Sequence, residues 1–258
     1  MTSGSAALFT KHGDGGDPEF FAAEAAGLGW LAAAGPGAAA VVAVQAVHAD
    51  RLVLERLHPV PMTRAAAQAF GTALARTHAA GADAFGAPPP GRPERGWIGR
   101  QTMAMVPTPT WGRFYAEQRV LPFARAAARR GTLGPAGLQA VERVAERLVA
   151  GDFDDDRPPA RLHGDLWSGN VVPTASGVVL IDPAAHGGHG LTDVAMLALF
   201  GAPELAVVLD AYAAAAALDA GWRDLLGLHQ LHPLLVHAVS HGAAYGREAE
   251  RAARRYVG

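Results

Sequence analysis

Asp165, Asn170 and Asp182 are three polar residues at a spacing that could do chemistry. The first two belong to HGDLWSGN (163–170), and Asp182 follows the apolar run of GVVLID (177–182). Phosphoryl transfer asks a protein for a carboxylate beside the acceptor hydroxyl, oxygen ligands for Mg²⁺ and a cation on the nucleotide phosphates. These segments supply the first two. Asp165 can accept or orient the acceptor's proton. Asn170 and Asp182 can offer oxygens to one Mg²⁺, a hard cation that keeps several of its waters. The spacing is that of a kinase-type catalytic loop, H-x-D-x-x-x-x-N, with a metal-binding Asp one short hairpin later. His163 then takes the supporting position and braces the loop. The bland alternative is that Asp165 and Asn170 cap turns and Asp182 merely ends a strand before Pro183.

The candidate for the cation stands out by type. Lys and Arg together number 22, and Lys11 is the single lysine. In so Arg-rich a chain a lone lysine suits a place that needs a compact ammonium rather than a planar fork; a leftover surface lysine is the competing reading.

Composition bounds the rest. At 258 residues, 50% hydrophobic and 18% charged, the chain can build one or two domains with a full core. A net charge of −2 gives no global basic field to attract nucleic acid or an anionic membrane. Cysteine is absent, which excludes disulfides, thiol catalysis and Cys-based metal sites. The opening MTSGSAALFTKHGDGG lacks a basic region followed by a long apolar run, and no apolar stretch reaches membrane-spanning length. A cytoplasmic enzyme is the expectation, with no signal peptide and no membrane partner.

These residues need elements to position them. Residues 5–11 read as a strand ending in Lys11, GDGGDP (13–18) as a loop, and 18–35 as a helix with Pro near its start and Gly at its end. Residues 39–57 read as two strands around a turn at Ala49-Asp50. Character changes at 58–62. Helical patterns follow over 63–80, 111–130 and 134–151, separated by FGAPPPGRPERG (85–96), which is too rich in Pro and Gly for regular structure. Two short strands, 170–174 and 177–182, precede helices over 191–201, 203–218 and 221–256. A small β-rich lobe (1–57) followed by a mainly helical lobe (58–258) carrying the catalytic loop is an α+β, protein-kinase-like bilobal plan.

The segments LHGDLWSGN and LIDPA closely resemble the fructosamine-3-kinase (ketosamine kinase) family, within the aminoglycoside-phosphotransferase-like kinases. The Trp-Ser-Gly run inside the loop favours that family over choline, homoserine or aminoglycoside kinases. EAAGLGWLAAAG (24–35), LVLERL (52–57), LARTHA (74–79), WGRFYAEQRV (111–120) and DVAMLALFG (193–201) extend the resemblance over most of the chain.

The resemblance implies roles. Lys11 neutralises nucleotide phosphates and Glu24 holds it by an ion pair. The hinge at Leu54 to Leu57, with Glu55, Arg56 and Leu57, pairs with adenine. Asp165 is the catalytic base; Asn170 and Asp182 hold the metal; Trp167 lines the acceptor site, against a plain alternative of core packing. His189, in AAHGGHGLTD (184–193), falls in the region that shapes the acceptor pocket, where this chain keeps Gly188, His189 and Asp193 but is otherwise small-residued. The cofactors implied are ATP and Mg²⁺. The partner is a small ketosamine or a glycated amine or protein side chain. Family members carry two strands and a glycine-containing phosphate loop before the lysine strand. With ten residues ahead of Lys11, a shortened small lobe without a recognisable Gly-rich loop is expected, from either a truncated or mis-started chain or a genuinely minimal lobe. The alternatives are a kinase for another amine or amino alcohol, and a catalytically weak pseudokinase or binding module.

Overall fold

The computed structural model describes residues 7–13 and 17–258. The first strand, β1, is Leu8–His12; Ser5 and Ala6 of the expected strand, and residues 14–16 of the expected loop, lie outside the described residues. Helix α1, Phe20–Ala32, starts two residues after Pro18. It buries Phe21, Glu24, Leu28 and Leu31, which recur at helical spacing along one face. The stretch read as two strands forms three: β2 (Ala40–Val41), β3 (Val44–Val47) and β4 (Arg51–Glu55). Strands β1, β4 and β3 make an antiparallel sheet in that order, with Lys11 opposite Leu52. Phe21 and Leu28 of α1 pack on Val42, Leu52 and Leu54 to give this small lobe its own core.

Helix α2, Arg64–Ala79, begins where Thr63 Oγ1 accepts the Ala66 N–H at 3.2 Å, an N-cap of ordinary type. It buries Leu74 and His78, four residues apart. The Pro/Gly-rich stretch is irregular only as far as Glu94. Beyond it, β5 (Arg95–Ile98) and β6 (Gln101–Ala104) form a hairpin turning at Gly99 and Arg100. The sequence reading missed this hairpin, because its first strand grows directly out of the Pro-rich run.

Residues 111–129 are one continuous helical rod: α3 (Trp111–Phe114), a π-helical stretch at Tyr115–Val120, and α4 (Leu121–Arg129). The π-helical stretch carries Arg119 into the interior, where its Nη1 donates to the Ala104 carbonyl at 2.6 Å and ties the end of β6 to the rod. Helix α5, Pro135–Ala150, stops at Gly151, whose φ of 85° only glycine adopts at little cost.

The segment holding Asp165 and Asp182 follows: β7 (Ala160–Leu162), β8 (Val171–Thr174), β9 (Gly177–Leu180) and β10 (His186–Gly188). Strands β8 and β9 are the expected hairpin, and β10 lies antiparallel to β7. Strand β2 runs parallel to β9, Val41 beside Leu180, so a ladder ties the small lobe to the strand leading into Asp182. Helices α6 (Leu191–Phe200), α7 (Leu205–Ala215), α8 (Leu226–His229), α9 (Leu231–His241) and α10 (Ala243–Ala253) complete the large lobe. Its interior divides into one cluster around α4, α5 and α9 and another around α2, α6 and α7. The expected α+β architecture, a small sheet lobe joined to a helical lobe, is what forms. No helix among the described residues is long and apolar enough to cross a membrane.

Candidate active site

Between β7 and β8 the chain has eight residues in which to turn and expose a carboxylate, and Gly164 makes the turn possible. Its φ is +82°, and a Cβ there would strike the carbonyl of Ala184. The loop is then cross-braced from within. Asn170 Nδ2 donates to the Asp165 backbone carbonyl at 2.8 Å, to Asp165 Oδ2 at 3.3 Å and to the Asp182 carbonyl at 3.4 Å. One buried amide therefore holds both aspartates in register. Asp182 itself sits at φ 53°, an uncommon backbone conformation for a residue with a side chain. Burial pushes the Asp165 carboxyl up to about 6; the Asn170 hydrogen bond works against this, and the nearby Asp182 and Asp193 charges work with it.

His163 is buried and braces the same loop. Its Nδ1 accepts the Asp165 N–H at 3.2 Å, which assigns the ring proton to Nε2, and Nε2–H donates to the Ile181 carbonyl at 2.8 Å. Burial holds its pKa below the usual histidine value, in keeping with the neutral ring this pairing requires.

The strongest support comes from behind. Asp193, in the first turn of α6 and 1% exposed, accepts the His163 N–H at 2.7 Å and the Gly164 N–H at 2.9 Å. His78 Nε2–H also donates to it, at 3.1 Å, while His78 Nδ1 accepts the Tyr212 hydroxyl at 2.8 Å. Burial disfavours the Asp193 charge, but these donors prevail and hold its carboxyl below the usual range. Sequence reasoning noted Asp193 without giving it a role. The available signal was an acidic residue at a helix start, thirty residues from the backbone groups it binds.

Lys11 enters from the small lobe. Its Nζ lies 2.8 Å from Glu24 Oε2 and 3.1 Å from Asp182 Oδ1. Burial works against the ammonium, but the two carboxylates hold its pKa above the ordinary lysine value. Glu24 is 6% exposed, and its Oε1 is shut off from water with no partner among the described residues. Lys11, Glu24, Asp165 and Asp182 line one cleft, which Arg92, Arg95 and Trp97 also line.

The other expected residues do not share this cleft lining. Trp167 is 43% exposed with its ring against Gly169, which excludes core packing and leaves a flat aromatic face at the surface beside Asp165. Glu55 and Arg56 already give their backbone N–H groups to the Ala43 and Ala7 carbonyls, each at 2.9 Å, and Leu57 packs on the small-lobe core. His189 is a correction in placement. The chain beyond Ala185 turns inward to pair β10 with β7, which carries His189 into the interior. There its Nε2–H donates to Asp155 at 3.1 Å, its Nδ1 accepts the Leu191 N–H at 3.2 Å, and its ring lies against Trp111 and His229.

The donor set fits a hard divalent cation. Asn170 spends its Nδ2 on the two aspartates, which leaves Oδ1 as the oxygen it can offer. The Asp182 carboxylate, 40% exposed, reaches into the cleft. Two protein oxygens leave room for water and phosphate oxygens, as Mg²⁺ requires.

The chain matches the family model described as Fructosamine kinase over residues 1–257. It is 31% identical over 219 residues to a protein of Klebsiella aerogenes named "Probable ketoamine kinase", covering 81% of this chain and 71% of that one. In two further curated proteins named "Probable ketoamine kinase", from Enterococcus faecium and Synechocystis, the matched segment spans only 39% and 59% of the relative's length. A crystal structure of a candidate fructosamine-3-kinase from Thermobifida fusca is 46% identical, with a TM-score of 0.88, covering 96% of this chain and 85% of that one. An aminoglycoside phosphotransferase in ternary complex with ADP and hygromycin B shares the fold at 15% identity. Its TM-score is 0.56, covering 92% of this chain and 84% of that one.

Proposed function

Because the chain belongs to the fructosamine kinase family, we propose that it is an ATP-dependent phosphotransferase acting on a hydroxyl of a small sugar-derived amine, a ketosamine of the fructosamine or ribulosamine type. The observation that carries this reading is the meeting of Lys11, Asp165 and Asp182 in one cleft, with Asn170 bonded to both aspartates. The domain reading that accompanies it gives residues 1–57 to nucleotide binding and 58–258 to catalysis.

Asp165 is the base. With a pKa of about 6 it is ionised at neutral pH, yet more basic than a solvated aspartate, which suits it to orient and receive a hydroxyl proton. Asp193 and His163 fix the backbone leading into it and Asn170 holds its carbonyl, so the carboxylate stays in place while the acceptor arrives. Lys11, held between Glu24 and Asp182, presents its ammonium to nucleotide phosphates. Mg²⁺, when bound, would screen phosphate charge, and Asn170 and Asp182 would hold it. Trp167 offers its face to the sugar or amine of the acceptor at the rim.

The test is ADP release with Mg-ATP and a panel of acceptors: fructosamines, ribulosamines, choline and an aminoglycoside. Turnover concentrated on the ketosamines supports the reading. Turnover only on choline or the aminoglycoside moves the chain to another acceptor, and no turnover on any of them defeats it.

A further inference from the structure

The charges around the cleft are unevenly arranged. Its floor carries Glu24, Asp165 and Asp182, and the ammonium of Lys11 is already paired to two of them. Its lining also carries two guanidiniums, Arg92 just before the β5–β6 hairpin and Arg95 at its start, with the indole of Trp97. Arg92 is 17% exposed; its Nη2 donates to Glu19 Oε2 at 2.8 Å and, at 3.5 Å, to the Glu19 carbonyl. Its Nε is closed off from solvent and has no partner among the described residues. Arg95 Nη2 donates to Asp17 Oδ2 at 2.6 Å, and its guanidinium lies 4.9 Å from the Trp97 ring centre. Glu19 is 52% exposed and Asp17 30% exposed, so water can solvate either carboxylate if its arginine turns to another anion.

We propose that Arg92 and Arg95 form an anion subsite that selects acceptors bearing a carboxylate on the amine half of the ketosamine. The inference rests on the kinase reading of the cleft. A guanidinium is a planar fork matched to a carboxylate, and Arg92 and Arg95 both line the cleft while their present partners, Glu19 and Asp17, can be resolvated by water. The Trp97 face beside it suits the short aliphatic stem that carries such a carboxylate. With the sugar hydroxyl at Asp165, the amine half extends toward the two arginines. A ketosamine formed with a free amino acid has this layout. A polycationic acceptor meets guanidiniums there instead of carboxylates.

The nucleotide phosphates are the other anions that could use these arginines, and the experiment separates the two. The fructosamine of an amino acid and that of the corresponding amino acid amide are compared as acceptors, with wild type, Arg92→Gln and Arg95→Gln, and melting temperatures confirm that the variants fold. Wild type is expected to favour the carboxylate compound about tenfold in kcat/KM, as charge-assisted hydrogen bonds allow, and each variant to lower that ratio. A wild-type ratio near one overturns the proposal while leaving the kinase reading standing. So does an unchanged ratio with a raised KM for Mg-ATP, which gives the arginines to the nucleotide. If neither compound is phosphorylated the functional reading falls. Calorimetric titration of the same two compounds then decides the subsite, with equal affinities overturning it.

Discussion

Behind the catalytic loop, Asp193 is 1% exposed and takes hydrogen bonds from two backbone amides and a buried histidine; in front of it, Lys11 reaches across from the small lobe to one buried and one half-exposed carboxylate. The rear assembly is closed to water and every donor in it has a fixed partner. The front assembly is part solvent, and its outer ties, Arg92–Glu19 and Arg95–Asp17, are ion pairs with exposed members. The difference separates two tasks. On the proposed reading the base must not move, and Asp165 is anchored to a helix start in the core; the parts that would meet nucleotide and acceptor must exchange partners, and they are held by charges that a ligand can compete for.

Removing the rear anchor is the severest way to break the comparison. Asp193→Ala leaves the His163 and Gly164 N–H groups and the His78 ring without their acceptor. A loss of about 3 kcal/mol is expected, since three buried donors lose their shared charged acceptor. Thermal unfolding is then expected roughly 10 °C lower. A melting point within a degree or two of wild type would show that the rear network is not the stiffer one. Lys11→Met addresses the front. Loss of phosphate positioning by one charge is expected to lower kcat/KM for Mg-ATP by about a hundredfold, read by steady-state ADP release.

Acidity sharpens the same contrast. The Asp165 carboxyl titrates at about 6, and only its ionised form can take the proton. As pH falls through that value kcat/KM is expected to drop, approaching about tenfold per unit on the acid limb. A limb near pH 4 would mean that the carboxyl is not held in the buried setting described. The smallest effect belongs to the rim. Glu19→Gln removes an exposed partner of Arg92 and is expected to cost about 0.5 kcal/mol or less in chemical denaturation.

The clustering of Asp165, Asn170 and Asp182 was legible in the sequence because it depends on residue types at short range, one loop and one hairpin apart. The helices at 64–79 and 135–150 were legible for a similar reason, since each carries its own apolar stripe and end signals. The Lys11–Glu24 pair was expected through family resemblance, and the distance of 2.8 Å agrees with it. What stayed hidden depends on partners far along the chain. Strand β2 is two residues long and exists only because β9 lies beside it. The β5–β6 hairpin starts in a Pro-rich run whose composition argues for irregularity. Asp193 looked like an ordinary helix-start acid, and His189 looked like an accessible polar residue in a Gly-rich loop. Both are buried because β10 and α6 fold back beneath the catalytic loop.

The central claim, that Asp165 is the base of a phosphoryl-transfer site whose frame stands without it, is tested most directly by Asp165→Asn. Phosphorylation of a ketosamine by Mg-ATP is followed in wild type and variant, together with both melting curves. A melting temperature close to wild type and a kcat lower by about a thousandfold, the scale of a lost general base, are expected. A folded variant that transfers phosphate at the wild-type rate would contradict the claim.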